Sequence, residues 1–216
     1  LLDAALRARK KPCMLATGSM CDPYLPLEKE LRLTRRCLEI LLNRGFGVSV
    51  LTKSDLILRD LPLLQEINRQ TKAVAQMTLT TWDETLCRII EPNVCTTRRR
   101  VDALRALAGA GVPTVVWLCP LLPWLNDSEE NLDACFDAGV RAIVHFGMGL
   151  TLREGDREYF YRRLDEHFPG LKEKYIRRYG NAYEIPCENA AALEEIFHTE
   201  CERHGVMHRQ DEIFAW

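Results

Sequence analysis

Short apolar runs alternate along the chain with longer stretches in which apolar residues recur every three or four positions. Residues 13–19 (Cys-Met-Leu-Ala-Thr-Gly-Ser) are an apolar run closed by Gly18, which predicts a first strand. Leu27, Leu31, Thr34, Leu38, Leu41 and Leu42 then predict a helix over 27–44, stopped by Gly45. A second strand reads Val48 to Lys53. Asp60 as N-cap and Pro62 in the first turn open a helix over Leu61–Gln70. A third strand, Ala73 to Thr81, leads into a loop through Glu91-Pro92. A helix at Thr97–Ala108 carries Val101, Leu104 and Leu107 and is ended by Gly109 and Gly111. The fourth strand is Thr114–Leu118. Its helix covers about Ser128–Ala138, capped by Asp127 or Ser128 and stopped by Gly139, and the fifth strand is Ala142–Phe146.

Strand–helix units whose strands are apolar on both faces belong to parallel sheets covered by helices. The fold class is therefore α/β, with five parallel strands ordered as in sequence and helices on the outer face. A doubly wound sheet and part of a (β/α) barrel both fit. From residue 154 the strand signals stop, and helices are predicted at about 155–167, 170–179 and 189–204. The expected organisation is a strand–helix unit over 1–153 with a helical extension over 154–216 packed on it.

Composition narrows the function classes. An apolar fraction of 47% can bury a sizeable core. Lys and Arg number 29 against 31 Asp and Glu, so no global positive field advertises nucleic acid or an anionic membrane. The longest weakly polar run, Val112–Leu125, is interrupted by Pro113, Pro120 and Pro123 and falls short of the ~20 residues a membrane helix needs. Residues 1–12 lack the apolar core of a secretory leader. Nine cysteines, with no C-x₂-C spacing, read as reduced thiols of a cytoplasmic protein. A first residue of Leu1 rather than Met reads as a cut chain.

In parallel α/β proteins ligands bind at the carboxyl ends of the strands. Those ends carry Gly18 to Tyr24, Thr52 to Asp55, Thr78 to Asp83, Cys119 to Pro123 and His145 to Gly149. On the third strand Val74, Gln76, Thr78 and Thr80 share one face, while Ala75, Met77 and Leu79 share the other, suited to covering helices. Lys53 ends a buried strand; its ammonium needs a carboxylate, a phosphate or solvent, and snorkelling outward is the commonest answer. His145, with no second ligand at metal spacing, reads as a hydrogen-bonded core histidine. Arg98-Arg99-Arg100 opens a helix where the dipole disfavours cations. That hints at an anion or at pairing with Glu91, against the commoner solvated face. Neither G-x-G-x-x-G nor a P-loop is present.

Several motifs occur in order: Gly18-Ser19-Met20-Cys21-Asp22-Pro23-Tyr24-Leu25-Pro26, Leu33-Thr34-Arg35 running to Leu38-Glu39-Ile40-Leu41, Thr52-Lys53-Ser54 running to Arg59-Asp60, Thr78-Leu79-Thr80-Thr81 followed by Glu91-Pro92, and Pro120 to Asp127. With Leu152-Arg153, Phe168-Pro169 and Tyr179-Gly180-Asn181 they resemble the radical S-adenosylmethionine superfamily, in its spore photoproduct lyase-like, DNA repair photolyase-like branch. Two departures stand out. The branch's cluster-binding C-x₃-C-x₂-C and the barrel strand before it are absent. Cys21 stands where the branch has Thr, and Cys119 replaces a small residue; each is either a thiol at the open face of the site or a buried small hydrophobe.

The resemblance implies an open, partial barrel and a 4Fe–4S cluster with ligands outside this chain. It further implies reductive cleavage of S-adenosylmethionine to a 5′-deoxyadenosyl radical, with an electron donor as partner, a substrate for which nucleic acid is one candidate, and no membrane. Gly18 and Ser19 would offer backbone to the methionine amino group, Lys53 would pair with its carboxylate, Thr78 and Thr80 would bind ribose or carboxylate, and Pro120 would flank the adenine. Asp22 would orient its own loop, and Cys21 and Cys119 are the candidate catalytic thiols. Ser19, Lys53, Thr78 and Thr80 should share one cleft, and the fragment by itself should be inactive. Two other readings stay open. One is a barrel enzyme with Lys53 as Schiff-base nucleophile. The other is a binding module using residues 151–180, where eight basic and six acidic residues interleave with Tyr159, Phe160, Tyr161, Tyr175 and Tyr179.

Overall fold

The computed structural model describes residues 1–136 and 140–215. Five parallel strands lie in sequence order: β1 (Met14–Thr17), β2 (Gly47–Thr52), β3 (Ala73–Thr78), β4 (Thr114–Trp117) and β5 (Ala142–Val144). The helices up to β5 are α1 (Leu2–Arg7), α2 (Glu28–Leu31), α3 (Leu33–Arg44), α4 (Leu61–Gln70), α5 (Glu84–Ile90), α6 (Thr97–Gly109) and α7 (Glu129–Phe136). Beyond β5 come β6 (Gly149–Thr151), α8 (Asp156–His167), α9 (Leu171–Tyr179), β7 (Glu184–Pro186), α10 (Ala190–His204) and α11 (Gln210–Ala215). This is the expected mixed α/β architecture, a sheet consistent with a partial (β/α) barrel.

The two faces of the sheet follow the alternation of the sequence. Val48, Val50, Ala75, Met77, Val116 and Ile143 point outward into one core with Leu38, Leu41, Leu64, Ile67, Leu104 and Leu107 of the covering helices. On the inner face Gln76 stands opposite Leu51 and Val115, and Thr78 opposite Trp117. There Gln76 Nε2 donates to Ser49 Oγ at 2.6 Å, and Trp117 Nε1 donates to Gln76 Oε1 at 2.6 Å. The same face also holds Val74, Val115, Ala142 and Val144, packed with Ile213 of α11. Helices thus cover more than the outer face: α11 plugs the inner one.

Local chemistry explains most departures from the periodicity. The helix over 27–44 is broken at Arg32, which adopts a left-handed φ of 50°; the Glu28 carboxylate then accepts the Thr34 N–H (3.1 Å) and serves the start of α3. Asp60 precedes α4 but makes no capping bond; its carboxylate is taken by Tyr24, Arg35 and Arg59. The stretch before Glu91-Pro92 contains α5, capped by Asp83. Ser54 Oγ accepts the Leu56 N–H and starts a 3₁₀ turn over Asp55–Asp60. Ser128 caps α7 by accepting the Asn131 N–H at 3.2 Å. The predicted end of that helix at Ala138 and its stop at Gly139 lie outside the described residues. Strand signals do not stop at 154: β7 pairs antiparallel with β6.

The predicted helices after residue 154 appear as α8, α9 and α10. Leu164 and Tyr175 build a small core with Leu152 and Ile185, whereas α10 sends Leu193, Phe197 and Cys201 into the main outer core. Among the described residues no helix is long and apolar enough to cross a membrane.

Candidate functional site

The site is assembled from the loops that leave the strands. After β1 the chain turns at Gly18, with φ +96°, where a Cβ would lie 2.0 Å from the Leu51 carbonyl oxygen. Only glycine fits there. Asp22 then pins the loop to the end of β2. Its Oδ1 accepts the Tyr24 N–H (2.8 Å) and the Thr52 hydroxyl (2.6 Å), and its Oδ2 accepts the Lys53 N–H (2.8 Å). The expectation that Asp22 orients its own loop agrees with this geometry.

Lys53 finds a carboxylate. Its Nζ lies 2.7 Å from Glu91 Oε1, and Glu91 Oε2 lies 2.7 Å from Arg100 Nη1. Arg100 is wholly buried. It also donates from Nη1 to the Thr78 carbonyl (2.9 Å) and from Nε to the Cys95 carbonyl (2.8 Å). These bonds offset the desolvation of its charge. Burial pushes the Glu91 carboxyl up, but Arg100 and Lys53 outweigh it and hold the group below its ordinary value. The solvated-face reading of the arginine run is overturned for Arg100, while Arg98 and Arg99 are exposed and Arg99 pairs with Asp55 at 2.5 Å.

Above this triad opens a cavity of about 440 Å³. Lys53, Thr80 and Pro120 line it from the strand ends, Glu91 from the end of α5, and Phe160 and Arg163 from α8. A second cavity, about 510 Å³, shares Pro120 and adds Cys119 and Phe146. Lys53, Thr80 and Pro120 therefore meet in one cavity. Ser19 and Thr78 do not join them: Ser19 is exposed on the loop after β1, and Thr78 is buried with its carbonyl occupied by Arg100. Gly18 is half-buried beside Leu51. Cys21 is exposed. The Cys119 thiol is pushed up to about 11 by burial, against the pull of the Lys53 charge and the Phe146 N–H, so it is protonated at neutral pH.

His145 matches the core-histidine reading. Its Nδ1 accepts the Gly147 N–H (3.2 Å), its Nε2 lies 3.4 Å from Glu194 Oε1, and Phe197 packs edge-on at 4.5 Å. Burial lowers its pKa, with Glu194 opposing. The sequence reading that paired the arginine run with Glu91 holds for Arg100, whereas the role of Asn126 was missed. Asn126 is buried and donates to the Thr80 carbonyl at 2.7 Å while accepting the Leu122 N–H, which fixes the turn after Pro120. Among the described residues no three His, Cys, Asp or Glu side chains are grouped to hold a metal ion.

No protein-family model matches the chain. An uncharacterised protein of Mycobacterium tuberculosis is 31% identical over 185 residues, covering 84% of this chain and 54% of that protein. An uncharacterised protein of Methanocaldococcus jannaschii is 34% identical over 112 residues, covering 52% of this chain and 42% of that protein. The chain spans about half the length of the curated relatives it matches. Among solved structures, spore photoproduct lyase complexed with dinucleoside spore photoproduct superposes with a TM-score of 0.69 at 14% identity, over 95% of this chain and 63% of that one. A double mutant of the lyase with bound AdoMet and the same photoproduct gives the same values. A domain of pyruvate-formate lyase-activating enzyme from Bacteroides vulgatus gives 0.51 at 14% identity, over 91% of this chain and 96% of that one. The resemblance read from the motifs thus holds at the level of fold: the chain has the partial (β/α) barrel fold seen in spore photoproduct lyase.

Proposed function

We propose that this chain is the S-adenosylmethionine-positioning part of a radical S-adenosylmethionine enzyme of the spore photoproduct lyase-like branch. The observation that carries the reading is Lys53, held on the floor of a cavity at the carboxyl ends of parallel strands, in a fold whose solved neighbour has AdoMet bound. A lysine ammonium has three donors. Glu91 takes one, and the others are available to the methionine carboxylate. Thr80 would receive the ribose or carboxylate and the turn at Pro120 the adenine, whereas Gly18, Ser19 and Thr78 lie outside the lining of this cavity. Cys119, as a protonated thiol, is no thiolate nucleophile. Cys21 is the exposed thiol of the pair.

In an enzyme of this kind an iron–sulfur cluster supplies the electron that cleaves S-adenosylmethionine. The described residues contain no grouping that fits such a cluster, and on this reading its ligands are other residues of the full protein. The substrate, with nucleic acid among the candidates, and the electron donor likewise belong to the whole protein. On the same reading residues 1–153 are the partial barrel, residues 154–216 are its extension, the isolated chain is inactive, and the protein works in the cytoplasm with its thiols reduced. The Schiff-base alternative is disfavoured because Glu91 occupies the Lys53 ammonium at 2.7 Å.

The test is equilibrium binding of S-adenosylmethionine by the full-length protein. Lys53→Ala should weaken it by roughly 1.5–3 kcal/mol, the scale of a charged hydrogen bond. Wild-type affinity in that variant removes the reading.

A further inference from the structure

Lys53 is held at three points. Its backbone N–H goes to Asp22 Oδ2 (2.8 Å), its carbonyl accepts the Cys95 thiol (3.0 Å), and its ammonium meets Glu91 (2.7 Å). The last two restraints close a ring. The Cys95 carbonyl is bound by Arg100, Arg100 is bound to Glu91, and Glu91 returns to Lys53. A lysine stem has four rotatable carbons and an ammonium that makes no fixed fork. Left alone beside a cavity of about 440 Å³ it would sample many rotamers. Glu91 is itself immobilised, because Arg100 behind it is buried and fixed to two backbone carbonyls.

The charges point the same way. Lys53 and Arg100 supply two positive charges and Glu91 one negative, so the floor keeps one positive charge. The other ionisable groups that line the cavity, Asp156, Tyr159, Arg163 and His167, belong to α8 rather than to the floor, and Arg163 and His167 both lie against Glu166. The floor therefore complements a single negative charge.

We infer that Glu91, braced by Arg100, is a positioning residue that aims the free donors of Lys53 at the ligand carboxylate. This rests on the S-adenosylmethionine reading above. The opposite role is a distinct prediction: were Glu91 a competitor for the lysine, removing its charge would tighten carboxylate binding.

A double-mutant cycle separates these roles. The full-length protein is titrated calorimetrically with S-adenosylhomocysteine, which carries the carboxylate, and with 5′-methylthioadenosine, which does not. Glu91→Gln should weaken S-adenosylhomocysteine about tenfold and 5′-methylthioadenosine less than twofold. In a Lys53→Ala background the same change should cost less than twofold, because Glu91 acts through the lysine. Glu91→Asp keeps the charge next to Arg100, withdraws the carboxylate by one methylene, and should weaken S-adenosylhomocysteine several-fold; it carries the test if the Gln variant does not fold. Unchanged or tighter binding in both variants, an equal loss for both ligands, or an equal loss in the Lys53→Ala background overturns the inference. Wild-type affinity in Lys53→Ala alone overturns the parent reading and this inference with it.

Discussion

Two networks of buried charge hold the loops at the carboxyl ends of the strands, and they are built differently. In the first, two carboxylates face two guanidiniums. Asp60, completely buried, accepts from Arg35 (2.8 Å), from two nitrogens of Arg59 (2.7 and 3.1 Å) and from the Tyr24 hydroxyl (3.1 Å). Glu28 accepts from Arg59 (2.8 Å) and from the N–H of Thr34. No cation is left over. In the second, one carboxylate, Glu91, faces two cations, and one of them, Lys53, borders a cavity. A balanced network is complete once the chain folds, whereas an unbalanced one at a void keeps a charge that a ligand could meet. Both draw on the motif residues that carried the family resemblance, so a motif residue need not touch ligand.

Breaking the balanced network should have the largest effect. Asp60→Ala leaves two arginines without their carboxylate and should cost about 3–5 kcal/mol, read as a lower urea midpoint. Lys53→Ala should do the reverse, lowering ligand affinity with little change in that midpoint. A midpoint that stays put in Asp60→Ala would mean that the network is not structural.

Gly18→Ala sharpens the comparison at the loop joining the two regions. Its φ of +96° and the 2.0 Å approach to the Leu51 carbonyl leave no room for a Cβ, so a loss of about 1–3 kcal/mol is expected from backbone strain. Equal stability of the two proteins would show that the loop relaxes freely.

Acid should weaken both networks. Burial raises the Glu28 carboxyl, yet its bonds from Arg59 and the α3 backbone hold it below the ordinary 4.5, as Arg100 and Lys53 do for Glu91. A carboxyl depressed in the folded state stabilises fully above its unfolded value and loses that contribution as the pH falls through the folded one. The urea midpoint should therefore drop as the pH is taken below 4.5, and less steeply in Glu91→Gln. A midpoint flat across that range would contradict the assignment.

The smallest effect concerns the thiols. With Cys119 pushed up to about 11, iodoacetamide at neutral pH should label exposed Cys21 well before Cys119, as followed by peptide mass spectrometry. Prompt labelling of Cys119 would mean an accessible thiolate and reopen a nucleophilic role.

The strands and most helices were legible in the sequence because their apolar residues keep one period and the parallel sheet buries both faces. The split of β3 into an outward Ala75-Met77 side and an inward Gln76-Thr78 side is stereochemistry alone, since successive side chains of a strand must oppose one another. α5 was illegible because it is short, and β7 because three residues carry no period. α11 was missed because its reason for being a helix is that Ile213 fills the inner face.

The sequence by itself determined the five-strand order, the polar side of the sheet and the placing of Lys53 at a strand end, since these depend on period, parity and chain direction. The tertiary structure alone decided what that lysine meets. Glu91 and Arg100 lie 38 and 47 positions further along the chain, and no local rule connects them to Lys53. They come together because α5 and α6 return to the ends of β2 and β3, where buried charges must find partners of opposite sign.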